Sequence, residues 1–246
     1  MNELNSVSFV LPNRLAAVTA AFADEVIVAF DGITNCVFIY KLNGRFHDKK
    51  ELMRPYRKVH YDFSTCRFLA LSGNNNRRVY FLDNRLHEIG SVNLNIDTTG
   101  DDQEDRLELM DASPDTRNGN SVIIATHRYS VRAYSINGDE IGFVRAIDTT
   151  RLGQDFVYSD QTEAFHYIRN NISFVSVKNR TENFTGSVPS VFSLRTLISD
   201  GNGSVYGLFG YQYIYNYILP IYKDGMFVLP STEEAGNIID QLSAGC

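Results

Sequence analysis

Acidic and histidine side chains are the residues of this chain with the clearest potential for chemistry. Asp62, Asp111, Asp160 and Asp200 recur along the sequence near the ends of apolar segments, and His60 lies two residues before Asp62. Carboxylates that converge in space can act as general acid and base in hydrolysis. Aspartate also accepts hydrogen bonds in turns, and we favour this structural role for all four.

The histidines and the acidic cluster predict no metal site. His60 and Asp62 are candidates for ligand binding, although a hydrogen-bonded structural position is the simpler interpretation of His60. His166 lies between Phe165 and Tyr167, which predicts a packed histidine, and three others lie near turns and are expected at the surface: His47, His87 and His127. The run Asp-Asp-Gln-Glu-Asp at 101–105 lacks the ligand order of a calcium-binding EF-hand loop and predicts a solvated loop.

A tyrosine-rich segment is the best candidate for a recognition surface. It contains Tyr206, Phe209, Tyr211, Tyr213, Tyr215 and Tyr217. Tyrosine offers a broad apolar face with a polar tip at low entropic cost, as binding surfaces require. We predict that Tyr211, Tyr213 and Tyr215 bind ligand from a loop between two strands. Packing between neighbouring blades is the competing structural role, and the sequence slightly favours it for the segment as a whole.

The elements that position these residues follow a repeat of about 45 residues. Its clearest copy has an apolar strand from Glu25 to Phe30, a second strand from Cys36 to Tyr40, a turn at Asn43-Gly44 and a polar strand from Arg45. Asn43, Asn84, Asn137, Asn179 and Asp224 mark five such turns, with spacings of 41, 53, 42 and 45 residues. Asn-Gly and Asp-Gly predict type I′ hairpin turns, in which both central residues have positive φ. The long interval contains the acidic insertion.

A further short segment precedes each copy, which gives four strands per unit. Four-stranded antiparallel units repeated around an axis predict a β-propeller of five blades, or six if both chain ends build an irregular one. The apolar run Val7 to Leu11 precedes the first unit, and we expect it to pair with the last blade and close the ring. We therefore predict an all-β chain that forms one propeller domain over residues 1–246.

The fifth unit resembles the blades of a known protein class. The segments Ser199-Asp-Gly-Asn-Gly-Ser-Val-Tyr206 and Ile218-Leu-Pro-Ile-Tyr-Lys-Asp-Gly225 are similar to those of TolB-like, six-bladed propellers of Bacteroides-type bacteria. The resemblance implies a binding or scaffolding propeller, often exported and tethered, with no shared catalytic residues. This chain is shorter and its N-terminus shows no lipoprotein signal, which puts blade number and localisation in doubt.

Charge and composition limit the kinds of partner and the kinds of site that we expect for this chain. The net charge of −6 opposes binding to nucleic acid, and no apolar stretch approaches the length needed to span a bilayer. The three cysteines, Cys36, Cys66 and Cys246, are too scattered for a disulfide framework or zinc site, and we expect Cys36 and Cys66 in the core. The expected compartment is the periplasm or cell surface if a signal was removed, and otherwise the cytoplasm.

Two ligand-dependent functions remain open on the sequence, beside a purely structural role in a larger assembly. The first is a non-catalytic propeller without a cofactor, which recognises a protein, peptide or glycan through its loop face or central channel. The alternative is a propeller hydrolase of the lactonase or glycosidase type with channel carboxylates. No short catalytic motif is present, which favours the binding function, although propeller hydrolases need none.

Overall fold

Alternating apolar and polar residues, rich in Val, Ile, Phe and Tyr, favour strands throughout the chain. The computed structural model describes residues 6–11, 19–23, 25–31, 34–62, 65–72, 75–93, 109–115, 120–127, 130–137, 140–148, 154–159, 164–169, 173–178, 181–187, 193–200, 203–211 and 215–228, and also 231, 233–234, 236–237 and 241. Strands dominate this part of the chain, as predicted.

The strands form five antiparallel sheets, which we number as blades. The N-terminal strand is β1 (Val7–Val10). Blade 1 contains β2 (Thr19–Ala23), β3 (Val26–Phe30), β4 (Cys36–Lys41) and β5 (Phe46–Glu51), and blade 2 contains β6 (Tyr56–Asp62), β7 (Arg67–Ser72), β8 (Asn75–Leu82) and β9 (Glu88–Asn93). Blade 3 contains β10 (Leu109–Asp115), β11 (Asn120–His127), β12 (Ser130–Asn137) and β13 (Glu140–Asp148), and blade 4 contains β14 (Gln154–Ser159), β15 (Ala164–Arg169), β16 (Ser173–Lys178) and β17 (Thr181–Ser187). Blade 5 contains β18 (Ser193–Ser199), β19 (Val205–Tyr211), β20 (Tyr215–Lys223) and β21 (Met226–Phe227), together with β1.

The first strands of the blades form a closed ring. β2 contacts β6, β6 contacts β10, β10 contacts β14, β14 contacts β18, and β18 returns to β2. Each blade is therefore flanked by two others, and its first strand lies nearest the central axis. The five-bladed propeller predicted from the repeat is confirmed, because the N-terminal strand joins the fifth sheet and builds no sixth blade.

Blade 5 is completed from both ends of the described chain. β1 pairs antiparallel with the first half of β20, from Val7 opposite Ile218 to Val10 opposite Tyr215. β21 pairs with the other end of β20, where Tyr222 is opposite Phe227. Pro220 lies between the two paired stretches, where the absence of a backbone N–H costs no ladder bond on that edge. The predicted closure of the ring by the Val7 run is confirmed.

The two ends of the propeller carry different connections. In an antiparallel meander, the turns between first and second strands and between third and fourth strands lie at one end, which we call the turn face. The hairpins between second and third strands, and the links to the next blade, lie at the opposite end, which we call the hairpin face. The connection from β19 to β20 is therefore on the hairpin face, and the Asp62 end of β6 is on the turn face.

The core lies between blades. One apolar cluster joins blades 5 and 1 through Phe22, Phe38 and Leu208, and another joins blades 1 and 2 through Phe30 and Phe68. A third joins blades 4 and 5 and contains Val157, Ile168, Leu197, Val205, Phe209, Tyr217, Leu219 and Ile221. Blades 1 and 5 therefore each bury apolar residues on both faces, one against each neighbouring blade.

The hairpin turns only partly follow the predicted type. Asp224 and Gly225 both have positive φ, at 51° and 79°, as a type I′ turn requires. The prediction is wrong for Asn43-Gly44, where Gly44 has a φ of 81° and Asn43 does not adopt positive φ. There Gly44 N donates to Lys41 O and Lys41 N donates to Arg45 O, a three-residue turn that needs a left-handed residue at one position only.

The same three-residue turn recurs in blade 2 without glycine. Leu86 N donates to Asp83 O, Asp83 N donates to His87 O, and Leu86 occupies the left-handed position with a φ of 66°. The type I′ prediction is therefore wrong at Asn84 as well. The strain of this left-handed residue is offset locally, because Leu86 buries its side chain and the Asp83 carboxylate accepts the amides of Arg85 and His87.

The two cysteines that were expected in the core differ in exposure. Cys66 was expected in the core, but it is exposed in the turn before β7 with a φ of 50°, whereas Cys36 is half-buried against the core.

Helical residues occur at Glu233–Glu234, Gly236–Asn237 and Gln241, and the Ser231 hydroxyl and the Glu234 carboxylate form a reciprocal cap there. In the described part of the chain, no helix has the length and apolarity to cross a membrane.

Candidate functional site

The strand β6 carries a row of buried polar residues on one side. Lys58, His60 and Asp62 alternate with the apolar residues Val59 and Tyr61, and all five side chains are buried. Strand alternation places the three polar residues on the opposite side from the core that blade 2 shares with blade 1. Because β6 is the first strand of blade 2, His60 and Asp62 lie near the central axis.

Lys58 reaches across the centre of the propeller. Its Nζ donates a hydrogen bond of 3.2 Å to the Oγ1 of Thr196, which lies on the first strand of blade 5 and is itself buried. β6 and β18 are not neighbours in the ring, since β2 lies between them. The bond therefore spans the central space, and Thr19 of β2 ties the same region together by accepting the Val59 amide at 3.3 Å.

His60 is buried and neutral at physiological pH. Burial and, to a smaller extent, the positive charge of Lys58 together lower its pKa from 6.5 to about 3. An imidazole with this pKa does not exchange a proton near neutral pH, which is the range where a general acid or base must work. Lys58 and His60 are therefore suited to a structural role or to polar contact with a ligand.

Asp62 is engaged in the turn that follows it. Its Oδ2 accepts a hydrogen bond of 2.5 Å from the Thr65 hydroxyl and lies 4.0 Å from Nε of Arg67. Asp200 has the same use in blade 5, where its Oδ1 accepts the Ser204 amide at 3.1 Å. The turn role predicted for these two aspartates is confirmed. Asp160 and the side chain of Asp111 lie outside the described residues.

Asp31 is a turn residue that the sequence analysis missed. It follows β3, and its Oδ2 accepts a hydrogen bond of 2.5 Å from the Thr34 hydroxyl. The spacing of an aspartate and a threonine three residues later is shared with Asp62 and Thr65, and it was the signal available in the sequence. Among the residues that the structure describes, no group of three His, Cys, Asp or Glu is placed to hold a metal ion.

His166 packs between blades 4 and 5. Its ring centroid lies 4.7 Å from that of Tyr222, and burial lowers its pKa from 6.5 to about 4. The prediction of a packed histidine is confirmed. His47 and His87 are exposed, as expected, whereas the side chain of His127 lies outside the described part of the chain.

The tyrosine-rich segment divides into core and hairpin. Tyr206, Phe209 and Tyr217 are 3%, 0% and 0% exposed and pack between blades, so the packing role is confirmed for these three. The backbones of Tyr211 and Tyr215 face each other as the last pair of β19 and β20, on the hairpin face. Tyr213 lies outside the described residues, as do the side chains of Tyr211 and Tyr215.

Two exposed residues that the sequence analysis did not select flank this hairpin. Val10 is opposite Tyr215 in the ladder and is 40% exposed. The exposed Arg195 lies over Gly210, where an added Cβ would be 3.0 Å from its Nε. We define the hairpin patch as the exposed side chains of Val10 and Arg195 together with the backbones of Tyr211 and Tyr215. An exposed apolar residue beside an arginine is a combination found in protein interfaces.

The structure separates the predicted site residues into two groups. The hairpin patch is on the hairpin face of blade 5, whereas Asp62 lies at the turn face of blade 2 and His60 is buried between the two ends. Val10 could have been found from the sequence, because the Val7 run was expected to pair with the last blade, whose sequence contains the tyrosine-rich segment. Arg195 could not, since a bulge between Leu194 and Thr196 decides where it points.

Comparison with known proteins finds similarity to solved structures but to no family profile. No family profile and no curated protein matches the sequence. The WD40 domain of Pan2 from Neurospora crassa is similar over 85% of this chain, with 10% sequence identity and a TM-score of 0.45. The matched region spans 64% of that domain. The propeller fold of this chain therefore rests on its own sheet order and ring contacts.

Proposed function

We propose that this chain, as one domain over residues 1–246, is a non-catalytic binding propeller for a protein, peptide or glycan. The observation that carries the proposal is the engagement of Asp62 and Asp200 in turns. A propeller hydrolase would need such carboxylates near the axis for proton transfer or nucleophilic attack. Asp62 is fully buried and bonded to Thr65, and Asp200 is bonded to the Ser204 amide.

We place the ligand at the hairpin patch. The backbones of Tyr211 and Tyr215 form the last pair of β19 and β20 on the hairpin face, beside the exposed Val10 and Arg195. Tyr213 lies between them in the sequence. His60 and Asp62 are the second location predicted from the sequence, and the bond between Lys58 and Thr196 favours the face over the axis by spanning the central space. The resemblance to TolB-like propellers accompanies this proposal on the strength of the blade pattern alone. The location that goes with it is the periplasm or cell surface if a signal was removed, and otherwise the cytoplasm.

The proposal is tested by binding on glycan and peptide arrays. We expect a Tyr211→Ser/Tyr215→Ser variant to lose the array signals of the wild-type chain, because both aromatic faces are removed. Met53→Ser is the control, since Met53 is 79% exposed on the same end of the propeller but lies on the link between blades 1 and 2. Equal loss in both variants would count against the hairpin patch.

The hydrolase alternative has its own assay. Lactones and nitrophenyl glycosides are offered to the wild-type chain and to Asp62→Asn and Asp200→Asn variants that retain the native fold. Turnover by the wild type that either substitution abolishes would refute the non-catalytic function. We expect no turnover above that of the buffer.

A further inference from the structure

The outer strand of blade 1 is an exposed sheet edge. β5 ends the strand order β2-β3-β4-β5, and of its six residues all but the half-buried Lys50 are exposed. An edge strand presents backbone N–H and C=O groups on its outer side, and an extended peptide can add to it as a further strand. Blade 5 differs from blade 1 in this respect, because its outer long strand β20 is paired with both β1 and β21.

This edge is basic in a chain that is acidic overall. Residues 41–51 carry the cations Lys41, Arg45, Lys49 and Lys50 against Asp48 and Glu51, whereas the whole chain has a net charge of −6. Lys50 Nζ donates to the carbonyl of Arg85 at 3.2 Å, which brings the exposed turn of blade 2 alongside. Charges more than about 8–10 Å away are largely screened at physiological salt, so an approaching segment responds to this local charge.

An apolar anchor lies among these cations. Phe46 is 55% exposed at the start of β5, with its ring held edge-on to Tyr40 at a centroid distance of 5.9 Å. Ile89, at the start of the outer strand of blade 2, is 60% exposed. Aromatic residues that are fixed from below and open above are typical anchors of peptide interfaces, where surrounding charges determine the partner.

We propose that the outer edge of blade 1 binds an extended acidic peptide segment of a partner protein, which adds to β5 as a fifth strand. The carboxylates of the segment pair with Lys49 and Lys50, and an apolar side chain covers Phe46. Lysines on an edge strand can also serve only to prevent aggregation between sheets. That role predicts no binding of any peptide, so the two roles are distinguished by experiment.

The test is a titration of isotope-labelled full-length chain with a capped eight-residue peptide that alternates aspartate and valine. We expect amide resonances of residues 46–51 to shift, slowed hydrogen exchange along β5, and weaker binding as salt increases. A matching peptide of lysine and valine is expected to leave these resonances unchanged. Absence of shifts in 46–51 at about 1 mM acidic peptide, where even a weak millimolar interaction registers, would overturn the proposal.

Two variants of equal net charge sharpen this test. Lys49→Glu is expected to weaken binding about fivefold or more, because one ion pair is replaced by a repulsion of similar size. Arg57→Glu changes the net charge equally at an exposed position of β6 and is expected to bind like the wild type. Equal weakening in both variants, or shifts confined to the hairpin patch, would overturn the edge proposal, and the latter result would support the proposed function instead.

Discussion

At the scale of single residues, the most informative group is the buried polar row of β6. Lys58 and His60 lie two residues apart on one side of the strand, and both are buried near the axis. Burying polar groups is costly unless they are bonded, and the hydrogen bond from Lys58 to Thr196 joins blades 2 and 5 across the centre. These residues therefore link the ring while they limit the space along its axis.

The neutral state of His60 predicts a pH-dependent stability. Its pKa is about 3 in the folded chain and 6.5 when unfolded, so between these values only the unfolded chain binds the proton. The contribution of neutral His60 to the free energy of unfolding is fully present above pH 6.5. Between pH 6.5 and the folded pKa it decreases by about 1.4 kcal/mol for each pH unit. Urea unfolding from pH 7.5 to 4.5 should show a smaller pH slope for His60→Gln than for the wild type.

The exposed His47 provides the control for this series, since its imidazole is solvated in both states. His47→Gln should keep the wild-type slope. His166 is also buried and adds to the pH dependence of unfolding in the wild type and in both variants. The test is therefore the difference between the pH slope of each variant and that of the wild type. An unchanged slope in His60→Gln would show that His60 is not held neutral by the fold.

At the scale of elements, the closing strand β1 is fixed by blade 1 as well as by blade 5. Phe9 lies 4.7 Å from Tyr40 between ring centroids, and the Tyr40 hydroxyl donates to the carbonyl of Val10 at 3.0 Å. Burial raises the pKa of Tyr40, so this donor keeps its proton. The turn of blade 1 reaches the same strand, because Gly44 approaches the carbonyl oxygen of Ser8.

Gly44 and Gly225 form a matched pair that tests this contact. Both have a φ near 80°, but a Cβ at Gly44 would overlap the Ser8 carbonyl oxygen, whereas a Cβ at Gly225 would meet nothing within 4 Å. We expect Gly225→Ala to lower the free energy of unfolding by about 1–2 kcal/mol through backbone strain alone. Gly44→Ala should cost about 1–3 kcal/mol more, from overpacking against β1. Urea unfolding measures both, and equal losses would argue against the contact.

The same elements show what the sequence could predict. The five hairpins were predictable because Asn-Gly, Asp-Gly and apolar alternation are local signals, and the position of β1 followed from its apolar run. The left-handed conformation of Leu86 could not be predicted from the sequence, since it depends on the buried site that the side chain fills. Nor could the bond between Lys58 and Thr196, which joins residues 138 positions apart through the geometry of the assembled ring.

At the scale of the whole molecule, five blades are closed by a strand from the beginning of the chain. The first strand β1 and the last strand β21 both pair with β20 in the fifth blade. Neither strand can detach without exposing an edge of β20. The buried residues Val7, Phe9 and Leu11 belong to the cluster that joins blades 5 and 1. The hairpin patch includes Val10 of this same strand, which ties the proposed binding surface to ring closure.

The pairing of β1 with β20 is the central feature of this architecture, and nuclear Overhauser contacts between backbone protons measure it directly. We predict antiparallel contacts from Val7 opposite Ile218 to Val10 opposite Tyr215, together with contacts between Tyr222 and Phe227 at the other end of the same strand. A ladder of contacts between backbone protons of β1 and a strand other than β20, or in another register along β20, would contradict the closed five-bladed ring.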